Sequence, residues 1–494
     1  MLTILLALVW SAGLLVPHAP GVTVERSQLH AFDDTTPASN TGAYPNNSTY
    51  LDRRGPADAN PSVDAAASNV RRTITLPNGL RVRLVPFEAD NRATVRLVIA
   101  AGTAHETASE AGMTHVLAQW IEHATETDTP GAVAYETQIT PDALLLNSDV
   151  APSAVPDAIS RLESVITAVT GLATRTSDPS TVPRSAKQAF ENAKAAVASE
   201  RDPSPASGHA TARGTLRSVL FQQQSYGRPD ASPSQIAAYT LSDLTSYVNR
   251  HLSPRSTGLY VVGSFRPGEA EAAARKHLGD WTHPTTVSSR RVAPIADASL
   301  HILDQPNSTK TTLALGAPLP GPGHPDYPAL RVATILIGGG HASRLAQSRA
   351  VPFTASPHSL IESHWEASYW AAIVSTRATH AQPALQAVHR ILSDLRATAP
   401  DTSSVLRAQT MLIDRFLLQS STRDGLTEQL IFLNRHNLSV DYFMRYEERI
   451  RAVTPEDVHR VVVSYLAKER ISTVATGPEA VIRPQLAPFR KRLP

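Results

Sequence analysis

Residues 240–263, TLSDLTSYVNRHLSPRSTGLYVVG, and residues 454–477, TPEDVHRVVVSYLAKERISTVATG, follow one plan twice. Each opens on a Thr (Thr240, Thr454) with an Asp three positions later (Asp243, Asp457), the pattern of a helix N-cap and its reciprocal partner. Apolar residues at helical spacing follow, then a polar joint, then a strand-forming run that ends in Gly263 or Gly477. The two stretches are equal in length, and they align without a gap at an offset of 214, from 240 to 454.

Outward from these stretches the offset returns twice more. The strand-like TTLALGAPL (311–319) lies about that far beyond VRLVIAAGT (95–103), and a helical pattern at 327–337 stands in the same relation to 111–121. Three matches in one register predict two homologous α+β domains. We place them at 71–280 and 295–480, with a linker at 281–294 and a tail at 481–494. The first domain opens on TITLPNGLRVRLVPF (73–87), where alternating apolar runs flank Asn78-Gly79, a strong hairpin signal. A strand at 93–103 and helices at 110–124, 155–172 and 185–200 complete the coarse reading.

The chain as a whole excludes several classes of function. Its 494 residues, 42% hydrophobic and 18% charged, suit a folded protein with a large core. A formal net charge of +2 offers nothing to attract nucleic acid. The absence of Cys rules out disulfides, thiolate metal sites, a Cys nucleophile and a lipidated Cys. Ile4–Val16 is an unbroken apolar run, short for a membrane span but suited to a secretion signal. Residues 1–25 therefore read as a signal peptide or an uncleaved anchor, although no Lys or Arg precedes the run. Residues 26–70, rich in Asp, Asn, Pro, Ser and Thr, show no apolar period and read as a disordered leader. The expectation is an exported protein, periplasmic or elsewhere in the envelope or secreted, that touches a membrane only through an uncleaved N-terminus.

LPNGLRVRLVP (76–86), GTAHETASEAGMTH (102–115), YGRP (226–229), LSPRSTGLYVVG (252–263), GGGHASRL (338–345) and AVTPEDVHRVVVSYL (452–466) occur in that order along the chain and span most of it. Together with the repeat they resemble the pitrilysin/insulinase family of zinc peptidases in its short two-domain form, which includes the subunits of mitochondrial processing peptidase. The resemblance implies that each domain is an antiparallel sheet backed by helices, the two related by a pseudo-twofold axis. It also implies subunits that close in pairs around a chamber for unfolded peptides.

Active members of that family carry His-x-x-Glu-His on one helix. Residues four apart share a helix face about 6 Å apart, so two imidazoles can grip one Zn²⁺ while the Glu between them takes a proton from bound water. Here GMTH sets the register, and His115 matches the first ligand. Ala118 stands at the general-base position and Gln119 at the second-ligand position. Glu200, on a later helical stretch well beyond Gln119, is the best match to the family's distant Glu ligand, with Glu191 a weaker one. An alkyl side chain moves no proton, and a neutral amide is a poor zinc ligand. The frame QWIEH (119–123) does not repair this, because it still lacks one His. Nor does pairing His115 with Glu122, whose backbones lie ~10 Å apart on a helix. The structural expectation is a histidine packed or hydrogen-bonded within the domain, with Glu122 and His123 solvated at the surface. His105, His209, His341, His358 and His364 show no ligand spacing and read as ordinary.

The second domain offers a parallel test. Active members use an Arg and a Tyr after the Gly-rich turn to hold substrate and stabilise the oxyanion. SRLAQSRAVPFTASP keeps Ser343 and Arg344, with Arg349 as the candidate substrate-side Arg; the Tyr is lost, and Phe353 has no hydroxyl. Gly338, Gly339 and Gly340 read first as a helix end that needs unusual backbone angles, and second as a loop facing peptide or partner. The expected function is a catalytically inactive subunit that needs no cofactor of its own. It would pair with an active zinc peptidase subunit as a heterodimer and offer a surface to extended peptides. The alternatives are a stand-alone peptide-binding scaffold of the envelope and an active zinc endopeptidase with a variant site.

Overall fold

The computed structural model describes residues 72–490 apart from 88–89, 126–132, 176–181, 201–207, 223, 283–291, 293, 296–297 and 350–351. The apolar N-terminal run, the polar leader and residues 491–494 lie outside the described residues.

Two sheets are built from the two halves of the chain. The first contains β1 (Thr73–Thr75), β2 (Arg81–Pro86), β3 (Ala93–Ile99), β4 (Glu136–Ile139), β5 (Leu144–Val150) and β6 (Thr257–Gly263), in the order β1-β2-β6-β3-β5-β4. The second contains β7 (Leu300–Asp304), β8 (Lys310–Leu319), β9 (His358–Ser363), β10 (Ser368–Arg377) and β11 (Ser472–Gly477), in the order β7-β11-β8-β10-β9. With β1 set aside, the two orders are the same arrangement. The sheets are antiparallel except for one parallel pair each, β2 with β6 and β7 with β11, so the antiparallel expectation is corrected to mixed. In each half the last strand returns through a helix and slots in beside the first, and that crossover produces the parallel contact.

The first half supplies helices α1 (Met113–Thr125), α2 (Val155–Arg175), α3 (Arg184–Glu200), α4 (Gly208–Phe221), α5 (Leu241–His251) and α6 (Pro267–Leu278). The second supplies α7 (Tyr327–Gly338), α8 (Ala381–Ala397), α9 (Thr402–Ser420), α10 (Arg423–Arg435), α11 (Pro455–Tyr465) and α12 (Glu479–Arg490). The repeated segments are α5 with β6 and α11 with β11. Both capping boxes form as the spacing predicts, Thr240 with Asp243 and Thr454 with Asp457. The stretch expected to be a tail is helix α12 as far as it is described, because Ile482 and Leu486, one turn apart, are fully buried in the second core.

Gly263, at the end of β6, has φ +123°, and a Cβ there would lie 2.4 Å from the Arg92 carbonyl oxygen. Gly263→Ala is therefore expected to cost about 2–4 kcal/mol, from the backbone strain and the collision together. Urea unfolding of the variant beside the parent checks it.

Each sheet buries one face under helices of its own half and the other under a helix of the opposite half. On the second sheet, Leu216, Leu220 and Phe221 of α4 pack against Ala314, Tyr369, Ile373 and Val474. The fit is close enough that a Cβ at Gly316 would meet Leu216 at 2.9 Å. On the first sheet, Leu426, Leu430 and Ile431 of α10 pack against Val85, Val98, Tyr260 and Val262. At about 1.5–3 kcal/mol per fully buried large apolar side chain, this reciprocal exchange is the main bond between the halves. Polar contacts then fix its register. Arg96 on β3 reaches Asp424 at 2.6 Å and Glu428 at 2.5 Å on α10, and Arg423 meets Asp90 and Asp149 at 2.8 and 3.1 Å.

Candidate functional site

Helix α1 begins where Gly112 takes φ +86°, and the buried Glu106 carboxylate accepts hydrogen bonds from the Gly112 and Thr114 amides, both at 2.8 Å. Within the first two turns of the helix the resemblance becomes testable. His115 and Gln119 are half-buried on one face, while Ala118 is 2% exposed and belongs to the first core. The Gln119 amide donates to Glu122 at 3.2 Å. Glu122 also accepts from the Thr137 amide at 3.0 Å and its hydroxyl at 2.5 Å, tying α1 to β4. His123 contacts the Gln119 carbonyl oxygen through Nδ1 at 2.8 Å. The expectation that Glu122 and His123 are solvated is thus corrected: both are half-buried and hydrogen-bonded, because β4 covers this side of the helix.

Helix α3 packs on α1 through Phe190, Ala193, Lys194 and Val197, and the Trp120 ring N–H reaches the Ala186 carbonyl at 3.3 Å. Glu200 is the last residue of α3 and is exposed. Glu191 is exposed as well, paired with Lys194 at 3.0 Å. Among the described residues no three His, Asp or Glu side chains converge where a metal ion could be held. The donors present do not fit a zinc ion: one imidazole, an amide already bonded to Glu122, and a carboxylate out at a helix end.

In the second half the three glycines close the end of α7. A Cβ on Gly338 would collide with the Ser359 amide at 2.4 Å, and one on Gly340, where φ is +154°, with Met411 at 2.7 Å. The Arg344 and Leu345 amides fold back to donate to Leu336 and Ile337 carbonyls at 3.0 and 2.9 Å. Ser343 is buried, Arg344 half-buried and Arg349 exposed. Phe353 bridges to Thr376 and packs on the second core, away from any oxyanion role.

The sequence profile described as "Peptidase M16 inactive domain" matches residues 238–412. Proteins named as uncharacterized zinc proteases from Mycobacterium tuberculosis and Mycobacterium bovis are 26% identical over 466 residues, covering 87% of this chain and 96% of theirs. The crystal structure of a peptidase M16 inactive domain from Pseudomonas fluorescens superposes with a TM-score of 0.70 at 19% identity, covering 82% of this chain and 97% of that one. A protease from Helicobacter pylori gives 0.70 at 15%, with 82% and 99% covered. A chain of complex III from Candida albicans gives 0.70 at 15%, with 85% and 98% covered. Residues 238–412 thus match the M16 model, and over most of its length the chain is similar to proteins named as zinc proteases and shares the fold of M16 structures.

The chain also concentrates polar chemistry at the seam between its halves. Asp142, 1% exposed, accepts from the Tyr226 hydroxyl at 2.6 Å and the Trp365 amide at 3.2 Å. The His364 Nδ1 and Arg435 Nη1 atoms stand 3.6 and 3.8 Å from its other oxygen. Tyr226 and His364 stack at 4.4 Å. Burial alone would raise the Asp142 carboxyl; His364, Arg435 and the Tyr226 hydroxyl outweigh it and hold the pKa at about 2. Nearby, Glu362 is bound by the Arg213 guanidinium, with Nε at 2.6 Å, and His209 meets His358 edge to face at 5.3 Å. Burial lowers both histidines, as does the positive charge of Arg213. Histidines that look scattered in sequence thus share one interface, because α4 carries His209 and Arg213 across to the second sheet. The signal for Asp142 was an acid directly before the apolar run Ala143–Leu146, where a solvated residue has no reason to sit.

Proposed function

We propose that this chain is a non-catalytic M16 subunit that binds extended peptides and pairs with an active zinc peptidase subunit, which supplies metal and base. One observation carries the reading. The base position is a core alanine, the second-ligand position is an amide held by Glu122, and Glu200 sits exposed at a helix end. Losing that chemistry leaves the fold intact, since no buried charge depends on the missing groups. The exposed residues that follow the glycine turn, His341 and Ala342, remain available to peptide or partner. We further propose export to the cell envelope, on the strength of the apolar run at 4–16.

The test is metal content and turnover of the full chain, alone and after co-expression with an M16 protein bearing an intact His-x-x-Glu-His helix. Alone, it is expected to hold well under one equivalent of zinc and to show no chelator-sensitive cleavage of a fluorogenic peptide. With the active protein it should run as a heterodimer. One equivalent of zinc in the lone chain, with turnover lost in His115→Ala, would overturn the reading in favour of a variant active site. A lone chain that binds peptide but ignores its relative would point to the scaffold.

A further inference from the structure

The internal repeat exposes one substitution that the proposed function does not explain. Helix α1 starts at Met113 and α7 at Tyr327, the same offset as the repeated segments, so Arg331 stands where the first half has Leu117. Leu117 is fully buried in the first core. Its counterpart is a guanidinium held between α7, α9 and the segment around Tyr446. Arg331 Nη2 donates to the Tyr446 hydroxyl across 3.5 Å, a long contact, and the Tyr327 hydroxyl is also within its reach. Two phenols do not use the five N–H donors of a guanidinium. On α9, close enough for the two charges to repel, Arg415 donates Nη2 to the Gly339 carbonyl oxygen at 2.8 Å. That places it against the glycine turn. Around them stand the phenols of Tyr327, Tyr442 and Tyr446, all buried. Arg449 lies over the Tyr442 ring at 5.0 Å.

Among the described residues neither Arg331 nor Arg415 forms an ion pair; phenols surround Arg331, and its charge lies close enough to Arg415 to repel it. Two neighbouring guanidinium groups whose partners are neutral phenols and a carbonyl lose water without gaining an opposite charge, which is costly in the absence of an anion. Both arginines are half-buried, and the Arg415 guanidinium is the more open of the two to an incoming group. Two planar forks beside phenol hydroxyls match a carboxylate, which accepts paired N–H bonds and an O–H bond in one plane.

We propose that Arg331 and Arg415 form a carboxylate-binding site for an extended peptide, beside the glycine turn of the second half. The site rests on the peptide-binding part of the proposed function and adds to it a preference for acidic ligands. It is separate from the vestigial metal position on α1.

The test uses the full chain and a fluorescein-labelled, uncharged peptide in three forms: with a free C-terminal carboxylate, with that terminus amidated, and amidated with one internal Glu. Fluorescence polarisation should show the free acid, the Glu form or both binding at least ~10-fold more tightly than the plain amide, and which of them does identifies the source of the carboxylate. Arg331→Met and Arg415→Met should each erase that preference while leaving the weaker amide binding in place. If a Met variant fails to fold, Arg331→Lys keeps the charge without the fork and should reduce the preference. Equal binding of all three peptides to the parent chain overturns the carboxylate site and leaves the peptide-binding reading standing. Binding of none overturns both.

Discussion

Gln119→His is expected to give the chain a zinc affinity that the parent lacks, without giving it peptidase activity. His115 and position 119 are four positions apart on α1 and both half-buried rather than sealed. A second imidazole would therefore face the first across about 6 Å, the separation at which two ring nitrogens share one tetrahedral ion. Glu122, now holding the Gln119 amide at 3.2 Å, is placed to accept from the new ring and orient it. Zinc at about 100 times the dissociation constant would add about 2.7 kcal/mol of stability, a rise of a few degrees in melting temperature. Turnover should stay absent, because Ala118 still offers no base. Adding Ala118→Glu would force a carboxylate toward a core position that is 2% exposed, at a cost of several kcal/mol, so the double variant should melt lower without metal. Thermal scans with and without zinc decide the matter. A Gln119→His protein whose melting ignores zinc would show that His115 is not the ligand position the alignment makes it.

Asp142→Asn is expected to destabilise the folded chain by about 3 kcal/mol at neutral pH, the scale for removing one partner of a buried charged cluster. The amide would keep the shape but leave Arg435 uncompensated and put an N–H₂ group among donors. The sign with pH follows from the depressed carboxyl. Its pKa is about 2 in the fold against 3.8 unperturbed. The charged form is thus favoured by folding, and its contribution is present above pH 3.8 and lost as pH falls towards 2. Parent and variant should differ by a constant amount from neutrality down to about pH 4, and converge below it. Urea unfolding at stepped pH measures this, and a gap that persists undiminished at the acid end would mean that the carboxylate charge is not what matters.

The doubled plan was plain in the sequence because caps, helical spacing and the closing glycines are local signals, and Thr240 and Thr454 form the capping boxes their neighbours predict. Ala118 and Gln119, at the positions where the resemblance puts the base and second ligand, were equally plain, since that expectation belongs to residue type at a fixed spacing. The parallel strand pairs were not legible; they depend on where a distant strand inserts, which spacing does not encode. Nor was the role of α4 and α10, whose apolar stripes look like any amphipathic helix until their sheet is known. Glu122 was misjudged for the same reason, as its partner Thr137 arrives from β4. Asp142 and His364 belong to different halves of the chain and meet only once both are assembled.

The traded helices also set the order of events during biosynthesis. When Gly263 has left the ribosome, the first sheet is complete, yet Val85, Val98, Tyr260 and Val262 have no cover until α10 emerges, beginning at Arg423. At the same moment α4 displays Leu216, Leu220 and Phe221 with no sheet to receive them. A nascent half-chain is therefore a sticky species, and a stop codon or protease cut just after α6 should yield an aggregate that neither refolds nor persists.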